Sequence, residues 1–254
     1  MRWDPTQYAR YAGERGRPFF ELTARIEAAA PELVVDLGCG SGDLTAALAA
    51  RWPEALVRGI DSSPEMIERA RADGAVEFSV GTAERFDATG VDVLVSNAAL
   101  QWVATHRELL GRWAAQLRPD GWLAFRVPAN FDAPSHVLMR ELAESPAWRH
   151  RLGGVLRGAE STAPPAEYLD LLARDGLEVD AWQTEYEHVL DGPDPVLEWV
   201  RGTGLRPVLQ ALSDQEAARF EDAYATLLRE AYPRRPYGTV FGFRRSFVVA
   251  HREG

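Results

Sequence analysis

The sequence contains no lysine, so all 28 of its basic residues are arginine, and they are outnumbered by 38 aspartates and glutamates. The formal net charge of -10 excludes the broad positive field with which proteins bind nucleic acid or anionic membrane surfaces. A small-molecule substrate is therefore favoured, and neither nucleic acid nor membrane is expected as a partner. Any single arginine is interpreted first as a solvated surface charge, although its planar fork also suits carboxylates.

Cysteine is almost absent as well. Cys39 is the only one and the five histidines are scattered, so neither a disulfide framework nor a zinc site is predicted. The sequence also lacks a basic and apolar leader, and it has no uninterrupted apolar run of about 18 residues. We expect a cytoplasmic protein without a membrane span and without a bound metal.

Short apolar runs alternate with helical segments in the first half of the chain. The runs lie at 33–37, 56–60, 76–80, 91–96 and 122–127, and they suit strands buried on both faces of a parallel sheet. Helices are predicted at 43–51, 64–73 and 106–117, because proline, glycine and serine punctuate their ends. This alternation predicts an α/β fold of the Rossmann-like kind, with helices on both faces of the sheet.

The pattern changes after Val127. Prolines at 128, 134, 146, 164 and 165 interrupt it, so this region is predicted to be irregular apart from a helix at 136–144. Alternation typical of strands returns at 177–190 and 245–251, and helices are predicted between them at 195–203 and 213–232. The end of the chain is thus expected to return to the sheet.

The first predicted strand runs into a glycine loop, in which Asp36 is followed by Gly38, Gly40 and Gly42. Three glycines let the backbone pass close to a ligand. The loop by itself also fits a plain tight turn, and nicotinamide enzymes use the related spacing Gly-x-Gly-x-x-Gly. An acidic residue two positions before the glycines suits a ligand with a charged amino-acid tail better than it suits a pyrophosphate.

Polar residues follow the next three strands at the same edge of the sheet. Asp61 ends the second strand about 20 residues beyond the glycines, where a carboxylate can accept both hydroxyls of a ribose. The alternative role for Asp61 is helix capping, which Ser62 and Ser63 could also perform. The third strand ends at Thr82 and Ala83, placed to meet an adenine, and the fourth ends at Asn97, followed by Trp102.

Taken together, these strand ends over residues 30–130 resemble a class I S-adenosylmethionine-dependent methyltransferase. The resemblance implies S-adenosyl-L-methionine as cofactor and a seven-strand sheet whose last strand is antiparallel. Many relatives have aspartate where Thr82 stands, so the adenine contact is expected from the Thr82 hydroxyl or the Ala83 amide. The implied cofactor-binding residues are Asp36, Gly38, Cys39, Gly40, Asp61, Ser62, Met66, Thr82, Ala83, Asn97 and Trp102.

Two other interpretations of this region are disfavoured. Cys39 fits a small side chain in a crowded loop better than a nucleophile. The fourth strand lacks the Asn/Asp-Pro-Pro-aromatic sequence with which enzymes that methylate nucleic-acid amines hold a base nitrogen. Base methylation is therefore opposed by the motif as well as by the charge.

Across nearly the whole chain, the sequence resembles the trans-aconitate 2-methyltransferase family in blocks at 3–8, 14–18, 97–102, 136–141, 199–200, 203–207 and 245–250. The resemblance implies that one carboxylate of trans-aconitate is methylated to a monomethyl ester. A carboxylate is already ionised at neutral pH, so the displacement needs no general base and the enzyme contributes alignment. No obligatory catalytic residue is therefore assigned.

The same resemblance implies a helical cap and a division of the chain. Residues 1–30 would form an N-terminal helical segment covering the site, and 31–130 the S-adenosylmethionine-binding core. Residues 131–170 and 191–240 would be cap and substrate-recognition segments. The strands at 171–190 and 241–254 would complete the sheet.

The remaining carboxylates of the acceptor need cationic or hydrogen-bonding partners, and arginine can hold a carboxylate through two bonds. The candidates inside the matching blocks are Tyr8, Arg17, Gln101, His136, Arg140, Trp199, Thr203, Arg206 and Arg245. Each has a structural alternative. Trp102 and Trp199 could be core aromatics, His136 could bond to backbone, and Arg245 could face solvent beside the last strand.

Three alternatives to this function are left open by the residues. The acceptor could be another small carboxylic acid or a secondary metabolite. The chain could instead bind S-adenosylmethionine without turnover, as a sensor would. A nicotinamide oxidoreductase is the last of the three.

Overall fold

A computed structural model describes residues 12–70 and 76–254 of the chain. Seven strands form one sheet in the order β3-β2-β1-β4-β5-β7-β6. The strands are β1 Leu33–Leu37, β2 Leu56–Asp61, β3 Glu77–Val80, β4 Val93–Asn97, β5 Trp122–Pro128, β6 Glu178–Leu190 and β7 Thr239–His251.

Ten α-helices and three 3₁₀ turns are present in the described residues. The helices are α1 Ala12–Thr23, α2 Thr45–Arg51, α3 Pro64–Ala70, α4 His106–Gln116, α5 Pro134–Glu144, α6 Arg149–Leu152, α7 Pro165–Arg174, α8 Pro195–Arg201, α9 Arg206–Ala211 and α10 Asp214–Ala231. The 3₁₀ turns are Ala83–Arg85, Leu100–Trp102 and Ala159–Ser161. None of the helices in the described segments is both long and apolar enough to cross a membrane.

Strands β1 to β5 are parallel, and β7 runs antiparallel beside β5, with Trp122 opposite His251 and Pro128 opposite Arg245. The expected α/β fold, a seven-strand Rossmann-like sheet with an antiparallel last strand, is confirmed. Because parallel strands end at the same edge of the sheet, the residues after β1, β2, β3 and β4 all lie at that edge.

The sequence prediction that all five early strands are buried on both faces is wrong for two of them. The middles of β1, β4 and β5 are fully buried, whereas β2 alternates between exposed and buried residues and β3 is mostly exposed. The reason is position, because β3 is the edge of the sheet and β2 is its neighbour.

Further elements also differ from the sequence prediction. Helix α7 lies in the region predicted to be irregular, because Pro165 occupies the first turn of a helix, where its missing N–H costs nothing. Strand β7 begins at Thr239 rather than at 245, and its first half alternates regularly between buried and partly buried residues. The predicted helix at 64–73 is seen as α3 up to Ala70, and residues 71–73 lie outside the described residues.

The described chain divides into two compact units. The first comprises the chain up to Pro128, residues 161–184 and residues 245–254, and the second comprises residues 129–160 and 185–244. Residues 161–170, which were predicted to be part of the cap, fall in the first unit. The assignment of the second unit to substrate recognition stays a prediction.

A buried hydrogen-bond chain joins α4 to α7 in the first unit. The His106 ring lies 2.9 Å from the Val103 carbonyl oxygen through Nδ1 and 2.9 Å from the Tyr168 hydroxyl through Nε2. Tyr168 also accepts a bond from the Ala163 amide at 3.0 Å. The hydroxyl therefore donates to Nε2, and Nδ1 carries the ring proton. Burial accordingly lowers the pKa of His106.

In the second unit, α5 is anchored by α10 and the residue after it. The Tyr224 hydroxyl donates to the Ser135 carbonyl oxygen at 2.6 Å, and the Tyr232 hydroxyl accepts from the Ser135 amide at 3.1 Å. Helix α10 itself starts with a capping box between Ser213 and Glu216. The first turn of α5 is thus fixed through both peptide groups of a fully buried serine.

Candidate functional site

A cavity of about 510 Å³ opens at the carboxyl edge of the sheet in the first unit. This size falls within the usual range for sites that enclose small organic ligands. The cavity is lined by the glycine loop, the end of β2 with the start of α3, the end of β3, and the segment that follows β4. Among the lining residues are Gly38, Cys39, Gly40, Asp61, Ser62, Met66, Thr82, Ala83, Asn97 and Trp102.

The glycine loop is shaped by two glycines with different surroundings. Gly38 has φ +85, and a Cβ added there would lie 2.2 Å from the Cβ of Ala99, so any side chain would collide with the segment after β4. Gly40 has φ +57, lines the cavity, and would place a Cβ in open space. Gly38 is therefore needed for close packing, and Gly40 for a left-handed turn beside the cavity.

Asp61 ties the glycine loop to the end of β2. Its Oδ2 accepts a hydrogen bond from the Gly40 amide and its Oδ1 accepts one from the Ser63 amide, both at 2.9 Å. Each carboxylate oxygen retains a second lone pair that a ligand hydroxyl can use. Capping of α3 is done by the Ser63 hydroxyl, which accepts from the Met66 amide at 3.2 Å.

Asp36 is placed differently from the other predicted cofactor residues. It does not line the cavity but lies buried behind the glycine loop, where its Oδ2 accepts a bond from the Thr45 hydroxyl at 2.7 Å. Its Oδ1 has no hydrogen-bond partner within the described parts of the chain. Burial, opposed by the Thr45 bond and assisted by the charge of Asp61, raises the pKa of Asp36 from 3.8 to about 6.

Cys39 lines the same cavity, but its environment opposes a nucleophilic role. Burial and the nearby carboxylates of Asp36 and Asp61 raise the pKa of its thiol far above the usual value. The reactive thiolate is therefore disfavoured at neutral pH.

The ends of β3 and β4 supply the opposite wall of the cavity. Thr82 has extended backbone and precedes the short turn Ala83–Arg85. After β4, Asn97 accepts a hydrogen bond from Nε of Arg126 at 2.8 Å, and Ala98 adopts a left-handed conformation with φ 57. For an alanine this conformation costs on the order of 1–2 kcal/mol, so its surroundings must impose it.

Arg126 was missed by the sequence analysis. It lies inside the apolar run of β5, it is buried, and it faces Asn97 across the β4–β5 pair. A charged residue within a run of apolar strand residues was the available signal, because burial of a guanidinium requires hydrogen-bonding partners at the site.

Three of the predicted acceptor residues lie in the first unit. Gln101 belongs to the turn Leu100–Trp102, and its amide donates to the Ala98 carbonyl oxygen at 2.6 Å. Arg17 is exposed on α1, and Arg245 is fully buried at the end of the β5–β7 pairing, so Arg245 does not face solvent. Tyr8 lies outside the described residues.

In the second unit, His136 and Arg140 lie one turn apart on α5. A Cβ added to Gly204 would lie 3.4 Å from Nε2 of His136, so the loop after Thr203 packs against this ring. Arg140 donates to the Phe131 carbonyl oxygen at 2.6 Å, and Arg206, at the start of α9, is buried. The structure thus places His136 beside Arg140 and against the loop that joins Thr203 to Arg206.

The environment of His136 also fixes its charge. Burial and the neighbouring Arg140 lower its pKa to about 4, with Asp132 acting in the opposite sense. His136 is therefore a neutral imidazole at neutral pH, able to donate a hydrogen bond but not to supply positive charge. Positive charge in this region comes from the arginines.

Trp199 lies in the hydrophobic core of the second unit. It is 1% exposed, and its ring contacts those of His188, Phe241 and Phe243 with centroid separations of 4.7 to 5.8 Å. Thr203 lies in the turn after this helix, and its hydroxyl donates to the carbonyl oxygens of Trp199 and Val200 at 3.4 Å. Among the described residues, no group of three or more His, Cys, Asp and Glu side chains is arranged to hold a metal ion.

Comparison with known proteins gives consistent results. Residues 34–121 match the family model of a methyltransferase domain. The chain is 52% identical over 250 residues to the trans-aconitate 2-methyltransferase of Rhodococcus jostii, an alignment that covers 98% of both chains. It is 51% identical over 262 residues to that of Streptomyces coelicolor, covering 98% of this chain and 86% of that protein. The solved structure of the YcgJ protein from Bacillus subtilis shares the fold, with a TM-score of 0.58 and 16% identity over 94% of this chain and 99% of that one.

Proposed function

Because the chain belongs to the trans-aconitate 2-methyltransferase family, we propose that it transfers the methyl group of S-adenosyl-L-methionine to a carboxylate of trans-aconitate, releasing the monomethyl ester. The observation that carries this proposal is the extent of the similarity. It is not confined to the methyltransferase domain at 34–121 but spans 98% of the chain, and so includes residues 129–160 and 185–244, where acceptor choice is expected.

The cavity of the first unit is suited to the methyl donor. A carboxylate at the end of β2, an open glycine at position 40 and a wall after β4 that carries Asn97 surround a space of about 510 Å³. Asp61 would accept the ribose hydroxyls with its remaining lone pairs, and Thr82 and Ala83 would meet the adenine. Asp36 would act from behind the loop through its charge, because its side chain does not line the cavity.

The chemistry requires few protein groups. When bound, the donor supplies an electrophilic methyl on a sulfonium, which a carboxylate oxygen attacks while the electron pair of the broken C–S bond stays on sulfur. The attacking carboxylate is ionised at neutral pH, so no residue has to remove a proton. The protein contributes by holding the acceptor in line and by neutralising its other carboxylates.

We propose that the other carboxylates of the acceptor are bound by four residues, namely His136, Arg140, Thr203 and Arg206. Arg140 and Arg206 would bind acceptor carboxylates through charge-assisted bonds, and the neutral His136 would donate a single hydrogen bond. The roles of Tyr8, Arg17, Gln101, Trp199 and Arg245 in acceptor binding stay predictions.

The activity is tested by incubating the purified protein with methyl-labelled S-adenosylmethionine and, separately, trans-aconitate, its cis isomer and a monocarboxylic acid. We expect base-labile label in an organic extract with trans-aconitate and little with the others. Equal labelling of all three acids would show a different acceptor class. Binding of S-adenosylhomocysteine without any labelled product would indicate a protein that binds the cofactor but does not use it.

Two substitutions, Asp61→Asn and Arg206→Met, test separately the binding of the cofactor and the binding of the acceptor. Asp61→Asn should weaken S-adenosylhomocysteine binding in calorimetry by about 10- to 100-fold, the usual value of hydrogen bonds to a charged group. Arg206→Met should raise the KM for trans-aconitate and leave that affinity intact. The controls are Asp222→Asn and Arg234→Met, which alter exposed side chains. An unchanged KM in Arg206→Met would remove Arg206 from the acceptor site.

A further inference from the structure

The segment that follows β4 carries a strained backbone position. Ala98 has φ 57, a conformation that glycine adopts readily and alanine rarely does. Such positions persist only where the surroundings determine them, and they concentrate at functional sites. The interactions that impose this conformation therefore indicate which residues shape the cavity wall.

Among the described residues, three hydrogen bonds to this segment act on Asn97 and Ala98. The Ala98 amide donates to the Arg126 carbonyl oxygen at 3.0 Å, and Nε of Arg126 donates to Oδ1 of Asn97 at 2.8 Å. Both of these come from β5, the neighbouring strand. The third comes from the other side, where the Gln101 amide donates to the Ala98 carbonyl oxygen at 2.6 Å.

The clamped segment forms part of the cavity and also touches the glycine loop. Every residue of the segment 97–103 except Gln101 lines the cavity. The Cβ of Ala99 fills the space that a side chain at Gly38 would need, at 2.2 Å from its ideal Cβ position. A displacement of Ala98 would therefore move both the wall after β4 and the first glycine of the loop.

We propose that Gln101 is a positioning residue for methyl transfer, whose side-chain amide keeps Ala98 left-handed and so fixes the cavity wall against Gly38. This inference rests on the proposed function, because it assumes that the cavity holds the methyl donor. It gives Gln101 a role different from the acceptor contact predicted from sequence. The two roles differ in which kinetic constant they affect and in whether a change at Ala98 can compensate.

The test compares Gln101→Met, which keeps the length of the side chain but has no amide, with the double variant Ala98→Gly/Gln101→Met. Loss of the hydrogen bond from the Gln101 amide to Ala98 should lower kcat by about tenfold and weaken S-adenosylhomocysteine binding by about tenfold. The KM for trans-aconitate should stay nearly unchanged. Glycine adopts the left-handed conformation without strain, so the double variant should recover most of both losses. Gln183→Met, on the exposed face of β6, controls for the substitution itself.

A rise in the KM for trans-aconitate without rescue by Ala98→Gly would overturn the proposal and assign Gln101 to the acceptor. Equal constants for Gln101→Met and the wild-type enzyme would also overturn it. If Gln101→Met does not fold, Gln101→Asn replaces it, because it withdraws the amide from Ala98 by one methylene. Failure of the proposed function would appear separately, as an absence of methylation by the wild-type protein. The S-adenosylhomocysteine affinities of the single and double variants would still test whether Gln101 holds Ala98.

Discussion

Replacing Asp36 with asparagine should reveal a cost in stability that the folded protein bears at neutral pH. Asp36 is 2% exposed, its carboxylate accepts a hydrogen bond from the Thr45 hydroxyl, and its pKa is raised from 3.8 to about 6. A raised carboxyl pKa means that the folded state binds the proton more tightly than the unfolded state does. The corresponding contribution to stability is therefore complete below pH 3.8 and is lost as the pH rises through about 6.

The magnitude follows from the two pKa values. A pKa raised from 3.8 to about 6 is equivalent to about 3 kcal/mol once the group is ionised in both states. Between pH 4.5 and 7.5 the wild-type protein should lose about 2 kcal/mol from this source, and Asp36→Asn should lose none of it. The difference in unfolding free energy between variant and wild type should therefore shift by about 2 kcal/mol in favour of the variant, whatever constant cost the buried amide adds.

Urea unfolding of both proteins at the two pH values measures this shift directly. Asp87→Asn is a control of opposite sign, because hydrogen bonds from Thr89 lower the pKa of exposed Asp87. A difference between Asp36→Asn and wild type that does not change with pH would refute the reasoning. The same variant should bind S-adenosylhomocysteine more weakly, which would explain why a costly carboxylate occupies this position.

Two further predictions concern the first unit. Gly38→Ala should abolish S-adenosylhomocysteine binding in calorimetry, because its Cβ would collide with Ala99. Gly40→Ala should reduce the binding free energy only by the strain of a left-handed alanine, about 1–2 kcal/mol. Equal losses of affinity in the two variants would contradict this packing. Tyr168→Phe should lower the urea unfolding free energy by about 1–3 kcal/mol, because the His106 ring and the Ala163 amide lose their buried partner, and an unchanged midpoint would show that this network does not contribute.

The parts of the fold that sequence predicted well are those fixed by local pattern. The apolar runs at 33–37 and 122–127 coincide with β1 and β5 to within one residue, because strands buried on both faces need continuous apolar sequence. Helix α7 was missed because two adjacent prolines were interpreted as a break, whereas the second of them begins the helix. The early start of β7 was missed because Gly242 and Arg244 interrupt the apolar alternation on its partly exposed face.

In the candidate site, too, the sequence predicted the features that follow from the order of the strands, but not those that depend on individual side-chain contacts. The positions of Asp61 and Asn97 followed from the rule that parallel strands end at one edge, and both residues line the cavity. The burial of Asp36 behind the loop depends on Thr45, nine residues later, and the hydrogen bond of Gln101 depends on the unusual backbone of Ala98. Sequence spacing does not report such contacts, because they depend on side-chain direction and on local backbone strain.

The third glycine of the loop is constrained by an aromatic ring on a distant strand. A Cβ at Gly42 would lie 2.6 Å from the Phe78 ring, and one at Gly59 would lie 2.4 Å from the same ring. Positions 42, 59 and 78 are therefore expected to vary together among related sequences. In related chains, a larger residue at position 42 or 59 should be accompanied by a smaller one at 78. The last glycine of the motif is therefore required by the packing of β3 as much as by the binding of a ligand.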